Sequence, residues 1–243
     1  MKVDILAFGV HPDDIELGCS GSLIGAVAEG KKVAVVDLTQ GELGTRGSAA
    51  IRLEEAAAAA AIMGIHAREN LYMADGFFQV NEENIRKVIT IIRKYQPDII
   101  LCNALDDRHP DHGRSARLVN DAAFLSGLRK IVTEYEGEQQ AHWRPAYVFH
   151  YLQDRYMKPD FVIDISAHME QKIAAIHAYS TQFNSPETET EPATYISTPS
   201  FLDTIKGRAA LLGKRIGVDF AEGFISPKIP GFRNFDAFIQ NVT

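Results

Sequence analysis

Apolar residues along this chain fall into two rhythms, short unbroken runs and stripes at three-to-four spacing, and the two alternate. Asp4–Val10 is apolar over most of its length and stops at His11, Pro12, Asp13 and Asp14; Ile15, Leu17, Leu23, Ile24 and Val27 then resume at helical spacing. This predicts a buried strand feeding a helix over about Glu16–Glu29. Lys32–Leu38, with Val33, Val35 and Val36, is the second strand, followed by a glycine-rich polar loop, Thr39–Gly47. Arg52–Gly64 reads as a helix, with an alanine run for propensity and Gly64 as its stop. Leu71–Met73 is a short third strand, and Ile85, Val88, Ile89 and Ile92 define one buried stripe of a helix ending before Pro97. Asp98–Cys102, Tyr147–Leu152 and Phe161–Ile165 are the remaining strands. Gly113–Leu128, Ala167–Tyr179 and Phe201–Ile216 are the remaining helices. Asn184–Pro192 is polar and proline-flanked, a surface loop, and the residues after Ile216 read as an irregular tail.

Alternating strands and helices argue an α/β fold, a Rossmann-like, mostly parallel sheet with helices on both faces and right-handed crossovers. No repeat or linker divides residues 1–243, so a single domain is expected. In the common strand order 3-2-1-4-5, strands one and four are neighbours. The crevice at their carboxyl ends is then the switch point where such sheets bind ligands.

Composition narrows the partners. Apolar residues make up 46% of the 243, enough for a sizeable core, and the net charge of −7 with no long basic run disfavours nucleic acid and anionic membrane. No segment reaches the roughly 18 uninterrupted apolar residues of a membrane span, and the apolar start is too short for a secretory signal. Two cysteines, Cys19 and Cys102, support neither a disulfide framework nor a thiolate metal site, so a cytoplasmic home is the expectation.

Two turns carry the candidate chemistry. His11-Pro12-Asp13-Asp14 and Asp106-Asp107-Arg108-His109-Pro110-Asp111-His112 each follow an apolar run, at the ends of strands one and four. His11, Asp14 and His112 make a two-histidine, one-carboxylate set, which with open positions suits catalytic zinc and also ferrous iron. Helix capping is the plainer role for such residues, but capping does not require a histidine at both turns. Asp13, the spare carboxylate beside a ligand, is the natural general base. His109 could stabilise an oxyanion or protonate a leaving amine, with Asp111 to orient it, although Asp111 could equally be solvated. The other histidines, His66, His142, His150, His168 and His177, have no metal-like neighbours and read as surface or packing residues. A nucleotide-binding or serine-hydrolase reading fails for want of a phosphate-loop lysine, a G-x-G-x-x-G turn or a nucleophile elbow.

His11-Pro12-Asp13-Asp14-Ile15-Glu16, the Thr39–Gly47 loop, Arg52-x-x-Glu55 and His109-Pro110-Asp111-His112 together resemble the PIG-L/LmbE-like family of metal-dependent N-acetylglucosaminyl deacetylases. Lys172–Phe183 and Ala221-Glu222-Gly223-Phe224 are most similar to the bacillithiol branch of that family, which acts on N-acetylglucosaminyl malate. The resemblance implies a zinc enzyme with His11, Asp14 and His112 as ligands, Asp13 as base and His109 assisting the tetrahedral intermediate. It further implies Arg52 near the substrate, Tyr195 at the oxyanion and a homo-oligomeric state. Arg46 and Arg108, in or beside the expected mouth, would suit the carboxylates of a malate conjugate. The function expected is removal of acetate from a GlcNAc conjugate, GlcNAc-malate first. A chito-oligosaccharide or antibiotic-precursor deacetylase, or a non-catalytic binder, stands as the alternative.

Overall fold

A computed structural model describes residues 1–183 and 192–235, so all but the last residue of the expected Asn184–Pro192 loop lies outside the described residues. The chain runs β1 (Ile5–Gly9), α1 (Asp14–Gly18), α2 (Ser20–Ala28), β2 (Val33–Thr39), α3 (Ala49–Met63), β3 (Ala67–Met73), α4 (Glu82–Tyr95), β4 (Ile99–Cys102) and α5 (Pro110–Leu125). A two-stranded ribbon, β5 (Glu134–Tyr135) and β6 (Glu138–Gln139), precedes β7 (Tyr147–Tyr151) and β8 (Phe161–Asp164). A 3-10 turn over Ser166–His168, α6 (Met169–His177), α7 (Ser180–Phe183), α8 (Pro199–Ile216) and β9 (Ala221–Ile225) complete the order.

The seven-stranded sheet has the order β3-β2-β1-β4-β7-β9-β8. The first five positions reproduce the expected order, all in parallel pairs, with β1 between β2 and β4. Period-two alternation within β1 sorts the core. Leu6 and Phe8 face α4 and α5 with Val36, Ile100, Ile92 and Leu118, whereas Ala7 faces the opposite layer with Val35, Leu101, Leu23 and Met63. The sheet is therefore mixed and mostly parallel, with helices on both faces.

Four expectations are corrected. Residues 221–225, expected within an irregular tail, form β9, inserted antiparallel between β7 and β8. Phe224 is stacked on Phe161 and buried, so this short strand is fixed by tertiary contact rather than by a long apolar run. The helix expected over Glu16–Glu29 is two helices, broken at Cys19. Gly18 lies against the Tyr151 ring there, so closely that a Cβ at Gly18 would stand 2.3 Å from a ring carbon. β3 begins at Ala67 rather than Leu71; its polar residues Arg68 and Asn70 are paired with Asp37 and Thr39 of the neighbouring strand, which hid the strand from an apolar pattern. The expected Ala167–Tyr179 helix starts as the 3-10 turn and reaches regular form at Met169.

Candidate functional site

The strand–helix joint after β1 is backbone-strained. Asp13 has φ 121°, a left-handed value that favours glycine, and this sharp turn directs Asp13 and Asp14 to the carboxyl end of the sheet. Pro12 and Asp13 precede α1, while His109 caps α5, where Pro110 occupies the first turn as expected for a residue without an N–H. Because β1 and β4 are adjacent, the two turns meet: the His11 and His109 rings are 4.7 Å apart and those of His109 and His112 5.4 Å.

Asp14 stands at the centre of the cluster. Its Oδ2 accepts the backbone N–H groups of Val10 and His11 and the Asn103 amide, and its Oδ1 accepts from Gln153 and lies 3.1 Å from His112 Nε2. His11 Nδ1 is 3.7 Å from Asp14 Oδ2. The other nitrogen of each ring meets a carboxylate: His11 Nε2 is 2.9 Å from Asp75 and His112 Nδ1 is 2.5 Å from Asp107. Ring nitrogens of His11, His109 and His112 gather within 4.8 Å of one another, as do those of His11 with Asp75 and Asp111 oxygens.

This donor set fits a divalent cation. Burial alone would lower both histidines, but Asp111 and Asp75 push His11 up to about 10, and Asp14 and Asp107 push His112 up to about 9. Against its own burial, Asp14 is held far below the carboxylate range by His112 and His11. Ring nitrogens and carboxylate oxygens that converge in this way are donors a divalent cation would hold together, displacing the ring protons as it binds.

Asp13 differs from Asp14. Burial pushes its pKa up to about 7, although the Arg52 guanidinium, 2.6 Å away, opposes the rise. Arg52 also donates to Pro12 O at 3.0 Å, and Gly41 and Gly44 of the glycine-rich loop press against it. A Cβ at Gly41, itself at φ +64°, would be 2.5 Å from Arg52 Nη1, so the loop needs glycine. His109 Nδ1 accepts the Asp111 backbone N–H, which leaves its proton on Nε2, and burial with the neighbouring His11 lowers its pKa.

A cavity of about 580 Å³ opens over this cluster. Of the residues singled out by sequence, His11, Asp13, Asp14, Arg52, Arg108, His109, His112 and Tyr195 line it. Arg108 pairs with Asp154 and stacks on Tyr195, whose hydroxyl donates to Asp154 at 2.8 Å, so these three form a rim cluster. Two expectations are corrected. Arg46 is buried and is not among the described residues lining the cavity; Gln182, which does line it, donates to the Arg46 carbonyl. Asp111 does not orient His109 through its carboxylate, which instead accepts from Arg114 and from the Gly76 N–H and faces His11. The sequence reading also missed Asp75, Asn103, Asp107, Gln153 and Arg208. Only Asn103, directly after β4, and Asp107, inside the second turn, carried a positional signal.

The comparisons agree with this geometry. The family model described as GlcNAc-PI de-N-acetylase matches residues 6–123. The solved structure of a conserved protein from Thermus thermophilus superposes with TM-score 0.84 at 35% identity, covering 95% of this chain and 97% of that one. The diacetylchitobiose deacetylase of Thermococcus kodakarensis is 29% identical over 231 residues, 90% of this chain and 81% of the relative. The N,N'-diacetylchitobiose deacetylase from Pyrococcus horikoshii, solved with its inhibitor MPG, gives TM-score 0.78 at 25% identity over 95% of this chain and 87% of that chain. A Rossmann-like sheet carrying a His/Asp metal cluster at the β1 and β4 turns is the framework of a metal-dependent deacetylase. The chain belongs to the PIG-L family. No helix among the described residues is long and apolar enough to cross a membrane.

Proposed function

We propose that the chain hydrolyses the N-acetyl group of a short N-acetylglucosamine saccharide, releasing acetate, with the scissile amide seated over Asp13 and His109. The observation that carries this reading is the contrast between two adjacent carboxylates. Asp14 is locked by five polar contacts beside two histidines, whereas Asp13 is raised to about 7 and lines the cavity. One is built to hold a cation and the other to exchange a proton. His11, Asp14 and His112 would hold zinc, with ferrous iron equally suited to the donors, and the bound metal supplies a Lewis acid for the carbonyl and for water. Asp13 takes the proton from the attacking water. Arg52 fixes the Asp13 carboxylate by its 2.6 Å contact and keeps it aimed. His109, neutral with its proton on Nε2, donates a hydrogen bond to the oxyanion, and Asp13 passes the proton it took from water to the leaving amine.

The names of the relatives from Thermococcus and Pyrococcus support a chitobiose-like substrate. One observation favours a second reading, GlcNAc-malate. Arg208 of α8 lines the cavity, and among the described residues it forms no ion pair and one hydrogen bond, a 3.4 Å contact to Leu17 O. Burial lowers its pKa, and an acidic aglycone would give it a partner. Acetate release by zinc-loaded protein, measured on diacetylchitobiose, GlcNAc and GlcNAc-malate at equal concentration, tests both. Turnover of chitobiose that Arg208→Gln leaves unchanged supports the first reading. Preference for the malate conjugate, lost in Arg208→Gln through a raised KM, supports the second. No acetate from any of the three overturns the proposal.

A further inference from the structure

Asp75 belongs to none of the motifs discussed above, yet it is buried at the cluster, in the turn that follows β3. Its Oδ1 lies 2.9 Å from His11 Nε2, its Oδ2 accepts the Leu43 N–H at 3.0 Å, and its own N–H donates to Glu42 Oε1 at 2.8 Å. Glu42 and Leu43 sit in the glycine-rich loop, whose Leu43, Gly44 and Thr45 line the cavity. On the other side, Gly76 N–H donates to Asp111 at 2.8 Å and Gly76 O accepts from Arg114 at 2.9 Å, so the turn is clamped to α5 as well.

Resting on the metal reading given above, we infer that Asp75 is a positioning residue: it holds His11 with the proton on Nε2 and Nδ1 turned toward Asp14, and it ties that ring to the cavity loop. An imidazole that donates one N–H to a carboxylate presents a lone pair at the other nitrogen, and the acceptor decides which tautomer forms. His112 shows the mirror arrangement, with Nδ1 on Asp107 and Nε2 toward Asp14. The two rings therefore offer opposite nitrogens to the same carboxylate, each backed by its own acid. Asp75 is not a ligand in this arrangement. A cation on the Nε2 side of His11 would instead take Asp75 and Asp111 as its ligands, and a His11 ring protonated on Nδ1 would be its signature.

The test is Asp75→Asn, which keeps size and shape but can turn an N–H toward His11 Nε2 and so drive the ring proton to Nδ1. Zinc affinity is read by competition with a chromogenic chelator, and the His11 tautomer by ring 15N shifts of the zinc-loaded proteins. The expected result is a 10- to 100-fold weaker zinc affinity, with Asp107→Asn giving a loss of similar size. The wild-type ring should show the proton on Nε2. Asp75→Ser, which can still accept from His11, serves as the second variant if the asparagine protein fails to fold, and it should retain more of the affinity than Asp75→Ala. Unchanged zinc affinity in Asp75→Asn, or a wild-type His11 protonated on Nδ1, overturns the role of Asp75. A wild-type protein that binds no zinc instead overturns the metal reading beneath it.

Discussion

Two neighbouring aspartates with opposite environments show how much a single residue's setting decides. Asp13 carries the strained φ of the joint, and that conformation separates its carboxylate from that of Asp14 although the two are adjacent in sequence. Replacing Asp13 with Asn keeps the shape and leaves Asp14, His11 and His112 untouched. Zinc content by elemental analysis should stay at the wild-type level while kcat falls on the order of 10²–10⁴. His112→Ala should do the reverse first, losing metal under the same dialysis. These residues were legible because they lie in the two turns that follow apolar runs, within four positions of Val10 for His11, Asp13 and Asp14 and ten positions after Cys102 for His112, and the two turns share His-Pro-Asp chemistry. Asp75, Gln153 and Arg208 were not, because each is a lone polar residue whose partners are 32 to 191 positions away. Arg46 was expected at the mouth because its loop follows strand two, and nothing in the sequence shows that the fold buries it.

At the level of elements, the break between α1 and α2 explains two motifs that the chemistry does not use. Glu222 of β9 accepts the N–H groups of Gly21 and Ser22 at the start of α2, and Lys172 of α6 bonds Glu222 at 2.7 Å and Glu16 O at 2.9 Å. A carboxylate at a helix N-terminus with a buried lysine behind it joins three elements by charge-assisted bonds. Similarly, Glu55 of α3 accepts from Ser180 and from the N–H and hydroxyl of Thr181, which fixes α7 against the glycine-rich loop. Periodicity marks the helices but cannot see a cap supplied from two hundred residues away, so the unbroken helix over Glu16–Glu29 was the natural expectation. Gly18→Ala should destabilise by about 1–3 kcal/mol through overpacking on Tyr151. Urea unfolding should show a lower midpoint with an unchanged slope.

Across the whole molecule, the doubly covered sheet makes some groups outside the cavity lining sense pH. His150 of β7 is buried, bonded to Asn103 O at 2.7 Å and Asn120 at 3.1 Å, and burial lowers its pKa below 6.5. The unfolded chain takes up a proton there near 6.5 and the folded chain does not. Its contribution to stability is therefore full above about pH 6.5 and declines as the pH falls below it. Thermal unfolding of metal-free protein between pH 8 and pH 5 should show a smaller acid loss for His150→Asn than for wild type. The sheet order was legible through strand four and its parallel neighbour because alternation and handedness constrain it. The final insertion was not, since five residues with a glycine among them give no strand signal. That insertion also shapes how the protein is made. On the ribosome, β8 leaves the exit tunnel almost sixty residues before β9, the strand it pairs with among the described residues, and Phe161 stays without the Phe224 ring until then. The half of the sheet that bears β1 and β4 can assemble early, whereas the opposite edge must wait, exposed, for β9 to arrive. A chain stalled after α6 would present that open edge to its neighbours.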